Sequence, residues 1–174
     1  MNAEGHSFDE IYRDLREQIL SLGFRMTGRR EDAEVVLQET FLLVHRRLSK
    51  FRGDSKVSTW VYRIATRVAL ELRKRRRDRS HVALDSEHVT DRPAPLAADP
   101  LQSSEEVDRI LGALRSLSPS QNAVLSLLTT EGLTPAEVAV ILGVPEGTVW
   151  SRACHARRAL REKLCGPGVM GQRV

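Results

Sequence analysis

Three polar side chains in the last third of the sequence have the types and the spacing that reading DNA requires. Ser151, His155 and Arg158 recur at steps of four and three residues, so a helix would present them on one face. A hydroxyl, an imidazole and a guanidinium can each hydrogen-bond to base edges in the major groove. Apolar residues recur on the opposite face: Val149, Ala153, Ala156, Leu160 and Leu164. The pattern predicts a recognition helix.

A shorter helix with a well-marked start and end precedes this one. Thr134 and Glu137 form a capping box, with Pro135 at the first helical position, and Gly143 is typical of a left-handed helix end. Residues 134–160 therefore predict a helix-turn-helix. An ordinary pair of packed helices with solvated arginines is the alternative. The distribution of charge favours the DNA-binding interpretation, because residues 105–149 carry a net charge of −4 and residues 150–174 carry +5.

A second cluster combines aromatic and basic residues in the first half of the chain. Trp60, Tyr62, Arg63 and Arg67 lie near the start of a predicted helix, and a basic run follows at residues 73–79. Aromatic rings stack on unpaired bases, and cations follow the phosphate backbone. The alternative is that Trp60 belongs to the core and that the basic run is a solvated helix end. Sequence alone leaves both interpretations open.

The helices that would position these residues form two groups. Amphipathic stripes and capping residues predict three helices before residue 80, at residues 7–27, 32–48 and 57–77. Residues 81–102 contain three prolines and a net negative charge, which indicates a flexible linker. Four more helices follow. Capping boxes at Ser103 to Glu106, Ser118 to Gln121 and Thr134 to Glu137 open the first three, Gly132 ends the second, and Pro145 and Glu146 open the fourth. We predict an all-α protein of two small helical domains.

Other classes of function lack support in the sequence. We find no phosphate-binding glycine loop, no metal-spaced histidines and no nucleophile elbow, so we expect neither an enzyme nor a cofactor or metal. Cys154 and Cys165 are expected to stay reduced. No apolar run approaches the roughly 20 residues that span a bilayer, and no signal peptide is apparent, so we expect no membrane insertion and a cytoplasmic protein.

Two long segments resemble a known family. Residues 31–77, with the strings FRGDS and TWVYRIA, resemble region 2 of the extracytoplasmic-function sigma factors of bacterial RNA polymerase. Residues 117–164, with GLTPAEVA and GVPEGTV, resemble region 4 of the same family. The resemblance implies a three-helix region 2 domain at residues 1–80, a linker at 81–102, a four-helix region 4 domain at 103–166 and a tail at 167–174.

The resemblance also implies functional residues. In the family the second helix of region 2 docks on core RNA polymerase, and the corresponding residues are Val35, Gln38, Glu39 and Phe41. The third helix and the loop before it hold the unpaired minus-ten strand of promoter DNA, which implicates Lys50, Phe51, Arg52, Ser55, Trp60, Tyr62, Arg63 and Arg67. The recognition helix of region 4 enters the minus-thirty-five element, which implicates Glu146, Thr148, Ser151, Arg152, His155 and Arg158.

Three positions depart from the family pattern. Val35 replaces the usual acidic residue, Trp150 replaces the usual lysine, and Cys154-His155 replaces the usual histidine-arginine pair. The resemblance implies a sigma factor that is monomeric when free and is controlled by an anti-sigma factor. If that inhibitor is bound to the membrane, it would hold the sigma factor at the inner membrane. The alternatives are a stand-alone helix-turn-helix regulator and an interaction protein such as a sigma-like decoy.

Overall fold

Two groups of helices make up the molecule. The computed structural model describes residues 7–82, 104–130 and 132–165. Within these ranges the fold is all-α, as predicted, and contains no strand. In chain order the elements are α1 (Phe8–Thr27), α2 (Arg30–Arg47), a 3-10 turn (Leu48–Lys50), α3 (Val57–Val82), α4 (Ser104–Ser116), α5 (Pro119–Leu128), α6 (Pro135–Leu142) and α7 (Glu146–Cys165).

The first three helices form a bundle around an apolar core. Ile19 and Leu22 from α1, Val36 from α2 and Val61 from α3 are fully buried in one cluster. Gly23 lets α1 and α2 approach closely, because a Cβ at this position would lie 3.2 Å from Ala33 Cα and from Val36 Cβ. The amphipathic stripes read from the sequence therefore correspond to this core.

Most predicted helix starts are confirmed. The capping boxes at Ser7, Ser118 and Thr134 are formed, each with its reciprocal backbone and side-chain hydrogen bonds. Local hydrogen bonds of this kind depend on residues three apart, which is why they can be read directly from the sequence. The box predicted at Ser103 lies outside the described residues, as do residues 83–102 of the predicted linker and the tail at 167–174.

Two predicted helix ends are wrong. Helix α3 ends at Val82, not at residue 77, since neither glycine nor proline interrupts the basic run or the residues after it. Helix α5 ends at Leu128, not at Gly132. There the hydroxyls of Thr129 and Thr130 donate to backbone carbonyls of the last turn and compete with the continuation of the helix.

The two helical groups share a single apolar cluster. Ile64 and Ala65 of α3 belong to the same buried cluster as Val138 and Ile141 of α6. Polar contacts also cross the boundary, and the guanidinium of Arg25 donates to Thr130 Oγ1 at 2.9 Å. Burial lowers the pKa of Arg25. In this conformation the two domains are therefore packed against each other.

Candidate nucleic-acid interface

The predicted helix-turn-helix is present in α6 and α7. Thr134 caps α6, and Glu137 Oε2 accepts hydrogen bonds from Thr134 N and Thr134 Oγ1, both at 2.9 Å. Gly143 ends α6 with φ 65°, a left-handed conformation that glycine adopts without strain. Helix α7 then begins at Glu146. The turn thus sets the direction of the recognition helix.

The three polar residues predicted to read DNA share an exposed face of α7. Ser151, His155 and Arg158 are all exposed, and Ala153 and Ala156 on the opposite face are fully buried. Arg158 Nε lies 4.0 Å from Glu162 Oε1 in an exposed pair. Such surface pairs contribute little energy. The face therefore remains open to a partner.

The start of α7 carries the other three predicted contacts. Glu146 is exposed, and Thr148 and Arg152 are half-buried at the flanks of the helix. Trp150 is 50% exposed, and its indole N–H donates to Glu146 Oε1 at 3.3 Å. This hydrogen bond restrains the carboxylate of Glu146. The replacement of the usual lysine by Trp150 predicts stacking or packing on a partner in place of a phosphate contact, and the large exposed ring beside Glu146 is placed for such a contact.

The basic face of α3 lies against the second domain. Arg63 and Arg67 are both exposed, as predicted for residues that meet a phosphate backbone. They line a cleft of about 450 Å³ between α3 and α6. Across it, the guanidinium of Arg63 donates to the carbonyl of Val140 at 3.0 Å. In this arrangement the second domain covers part of the surface that was assigned to the minus-ten strand.

The predicted aromatic contacts divide into a half-buried ring and two buried ones. Trp60 is half-buried and packs on Phe51, with ring centroids 5.0 Å apart. Phe51 itself is buried. Tyr62 is only 2% exposed, its hydroxyl donates to Gln18, and burial raises its pKa to about 12. The stacking of bases predicted for Tyr62 does not fit this placement, because its ring fills the core, and the ring of Phe51 is also buried.

The loop before α3 presents cations. Lys50 ends the 3-10 turn, and Lys50 and Arg52 are both exposed, whereas Ser55 is half-buried. The buried ring of Phe51 between the two cations anchors the loop to the core. The loop can therefore offer positive charge from a fixed backbone.

One face of α2 is exposed and partly apolar. Val35, Gln38 and Glu39 are exposed, as expected for a docking surface. Phe41 is not part of it, because its ring is buried and packs edge-to-face on Tyr12 at 4.8 Å. Leu42, which was not among the predicted docking residues, is 57% exposed. Its spacing of seven residues from Val35 places the two on the same face of the helix.

The cysteines and the residue types that ligate metals were also located. Both cysteines are free and exposed. In the described ranges, His, Cys, Asp and Glu form no cluster that could hold a metal ion. Among the helices described, none is both long and apolar enough to cross a bilayer.

Comparison with known families explains why one chain carries both the surface on α3 and the surface on α7. The sigma-70 region 2 model matches residues 11–79, and the sigma-70 region 4 model matches residues 108–160. The chain belongs to the sigma-70 family. Regions 2 and 4 of sigma factors bind core RNA polymerase and promoter DNA, and this chain carries both. The family consists of transcription initiation factors and not of enzymes.

Sequence relatives place the chain in the extracytoplasmic-function (ECF) group. It is 34% identical to the ECF RNA polymerase sigma factor SigM of Mycobacterium tuberculosis over 160 residues, covering 91% of this chain and 78% of SigM. It is 30% identical to the ECF RNA polymerase sigma factor SigW of Bacillus subtilis over 168 residues, covering 91% of this chain and 89% of SigW. The predicted family is therefore confirmed.

Solved structures agree with the fold. The sigma factor RpoE of Bartonella quintana, in complex with the anti-sigma factor NepR, matches with a TM-score of 0.73 and 21% identity, covering 92% of this chain and 98% of RpoE. CnrH, in complex with the cytosolic domain of CnrY, matches with a TM-score of 0.70 and 20% identity, covering 95% of this chain and 93% of CnrH. Both similarities extend over the two helical domains.

Proposed function

We propose that this sigma factor gives core RNA polymerase its promoter specificity by contacting two promoter elements with two separate surfaces. The observation that supports this most strongly is the presence of an exposed polar face on α7 and an exposed cationic face on α3, one in each family region. A stand-alone regulator needs only the first of these surfaces. A strand-holding surface is useful only to a protein that acts on opened DNA.

We assign recognition of the minus-thirty-five element to α7. Ser151, His155 and Arg158 form the centre of the contact, and Glu146, Thr148 and Arg152 flank it. The guanidinium and the imidazole are suited to base edges, and the net positive charge of residues 150–174 suits phosphates. Because Trp150 hydrogen-bonds to Glu146, it positions that carboxylate and adds apolar contact surface at the start of the helix.

We assign the opened minus-ten strand to the cations around α3. Lys50 and Arg52 in the loop and Arg63 and Arg67 on the helix supply the charge, with Ser55 beside them. Trp60 is the aromatic side chain with exposed surface suited to a base. Phe51 and Tyr62 support this surface from the core, as residues that position the loop and the helix.

We assign polymerase docking to the exposed face of α2. Val35, Gln38, Glu39 and Leu42 make up this face, and Phe41 supports it from beneath by packing on Tyr12. Exposed apolar side chains among polar ones are typical of a protein-binding surface. Leu42 is the most exposed large apolar side chain of the described residues.

This function requires the two domains to separate. The minus-thirty-five and minus-ten elements are by their names about 25 positions apart, or about 85 Å at about 3.4 Å per base pair. A compact chain of this length has a radius of gyration of about 16 Å and a diameter of about 40 Å. The packed arrangement cannot reach both elements. We infer that polymerase and promoter bind an opened form, in which regions 2 and 4 no longer pack against each other.

We also propose that an anti-sigma factor controls this chain. RpoE, which shares its fold, was solved in complex with the anti-sigma factor NepR, and CnrH was solved in complex with the cytosolic domain of CnrY. The exposed apolar side chains of α2 offer a surface that the inhibitor would compete for with polymerase. If the inhibitor is anchored in the membrane, it would hold the chain at the inner membrane.

Footprinting on promoter DNA tests the proposal. The chain is mixed with duplex DNA alone, with core polymerase alone, and with both. We expect protection of two elements about 25 base pairs apart only when chain and core are both present. Protection of a single duplex site by the chain without core would favour a stand-alone regulator.

A further inference from the structure

A cationic cleft lies where the two domains meet. Arg73, Lys74 and Arg77 of α3 line one side, Arg115 of α4 lines another, and the cleft has a volume of about 720 Å³. Clefts of about 300–1,000 Å³ hold ligands the size of a nucleotide. This cleft is separate from the two DNA surfaces assigned above, and it contains side chains from both domains.

The positive charge of this cleft is not balanced by its own walls. Asp32 is the one carboxylate among the lining residues in the described part of the chain. The guanidinium of Arg76 donates to Asp32 Oδ1 twice, at 2.6 and 3.0 Å. Asp32 is therefore already paired with Arg76 through Oδ1. Arg73, Lys74 and Arg77 have no carboxylate partner within the described ranges.

Arg73 lacks an acceptor at a buried nitrogen. Its Nη1 atom is buried and makes no hydrogen bond. Burial, and then the charge of neighbouring Arg77, lower the pKa of Arg73. Leaving a buried donor without a partner is unfavourable, particularly when the group is charged. An anion in the cleft would accept a hydrogen bond from Arg73 Nη1 and would offset the buried positive charge of Arg73.

Arg115 is held over the cleft by the first domain. Its guanidinium donates to the carbonyl of Gly28 at 3.1 Å. Gly28 leaves the space that Arg115 fills, since a Cβ there would collide with Arg115 Nε. A second-domain cation is thus placed beside the cations of α3. The complete set of charges exists only while the two domains are packed together.

We propose that this cleft binds a small anion with several phosphate groups, of the size of a nucleotide polyphosphate, and that the bound anion favours the packed arrangement of the two domains. Guanidinium groups bind phosphate oxygens through paired hydrogen bonds, which suits three arginines around one cleft. A ligand that contacts both domains binds the packed form more tightly than the opened form and shifts the equilibrium toward it. The binding itself is independent of the proposed function, whereas its effect on transcription rests on that function.

Isothermal titration calorimetry on the 174-residue chain tests the site, with sodium tripolyphosphate as the probe and sodium sulfate as the control for ionic strength. We expect saturable binding of one tripolyphosphate per chain. The Arg73→Gln/Arg77→Gln double substitution should weaken it by about tenfold or more, because two charged hydrogen-bond donors are removed. Arg115→Gln should weaken it as well, since the site spans both domains.

Arg75→Gln provides the matched control on the same helix. Arg75 is exposed and pairs with Glu71 at 2.6 Å, and it does not line the cleft. We expect its substitution to leave the affinity unchanged. An equal loss of affinity in this control would mean that tripolyphosphate responds to the general charge of α3 and would overturn the proposal.

Two further outcomes would contradict the proposal. In one, tripolyphosphate binds saturably only to a variant whose linker carboxylates are replaced by amides (Asp85, Glu87, Asp91 and Asp99). That result would assign the cleft to the acidic linker. Failure to bind tripolyphosphate, together with weaker duplex binding by the double-substituted chain, would assign it to the DNA backbone. Neither result depends on whether the chain initiates transcription, so they are distinguishable from a failure of the proposed function.

Discussion

Lys56 and Glu137 form an ion pair that joins the two domains, with Lys56 Nζ 2.9 Å from Glu137 Oε1. Lys56 directly precedes α3, and Glu137 belongs to the capping box of α6. The same carboxylate therefore starts the helix-turn-helix and holds it against the first domain. Its side chain is 18% exposed, and that of Lys56 is 72% exposed. The pair can exist only while the domains are packed together.

Stability at acid pH should depend on Glu137. The backbone hydrogen bond from Thr134, followed by the one from Lys56, lowers its pKa from 4.5 to about 2. The ionised group stabilises the folded chain above the unfolded pKa of 4.5, and this contribution is lost as the pH falls toward 2. Glu137→Gln should flatten the dependence of the unfolding free energy over this window. Denaturant titrations at several pH values measure it, and parallel curves for the two proteins would contradict the assignment.

The Lys56–Glu137 pair should contribute a small coupling energy. A double-mutant cycle with Lys56→Gln and Glu137→Gln should give about 0.2–1 kcal/mol, because Lys56 is largely exposed. Lys56→Glu should have a larger effect on domain packing, since it places two carboxylates together. Small-angle scattering should then show a larger radius of gyration. Lys50→Glu is the matched control, because Lys50 makes no hydrogen bond or ion pair to the second domain among the described residues. The same expansion in that variant would show a general effect of charge.

Arg63 should act at the step that opens DNA. We expect Arg63→Ala to reduce transcription from a duplex promoter more than from a premelted one, because the proposed partner is the unpaired strand. The comparison uses run-off transcription from both templates with saturating sigma factor. Arg46→Ala, an exposed arginine on α2, is the control. Wild-type activity of Arg63→Ala on both templates would remove Arg63 from the proposed surface.

Arg152 should contribute to recognition of the upstream element. Arg152→Ala should weaken promoter binding by about 1–3 kcal/mol if the side chain contacts a base edge, and should relax the preference at one position. Arg161→Ala, an exposed arginine further along α7, should leave that preference intact. Selection from a randomised upstream element compares them. An unchanged sequence profile for Arg152→Ala would exclude a base contact.

Substitutions of Leu42 and Phe41 should have different effects, although the two residues are neighbours in sequence: the first should affect polymerase binding and the second folding stability. Leu42→Asp should leave folding stability within about 0.5 kcal/mol, because the side chain is exposed, and should weaken core polymerase binding by about 2 kcal/mol or more if it is a hot spot. Phe41→Ala should destabilise the fold by about 3–5 kcal/mol, because it empties part of the core. Ile110→Asp, at another exposed apolar position, is the control for polymerase binding. Equal polymerase affinity of Leu42→Asp and wild type would contradict the assigned face.

The helices and their starts could be predicted because the signals are local. Capping boxes at Ser7, Ser118 and Thr134 depend on residues three positions apart, and the amphipathic stripes repeat every turn. The exposed face formed by Ser151, His155 and Arg158 was predicted for the same reason. The assignments of individual site residues remain predictions.

The contacts between the domains could not be predicted from the sequence. Lys56 and Glu137 are far apart in the chain, and an isolated lysine and a capping glutamate give no periodic signal. The burial of Tyr62 depends on Gln18 of another helix, so its aromatic type alone suggested a surface role. The exposure of Leu42 could not be predicted, because its neighbour Phe41 belongs to the apolar face of α2 and a second apolar residue beside it gave no sign that it faces solvent. Tertiary packing determines the burial and the partners of these side chains.

Run-off transcription with core polymerase and a library of promoter fragments tests the central claim most directly. The reaction compares core alone, core with the wild-type chain, and core with Leu42→Asp. We expect specific transcripts that require the wild-type chain, share two elements about 25 base pairs apart and decline with Leu42→Asp. Stable binding to core without any chain-dependent transcript would contradict an initiation role and indicate a decoy.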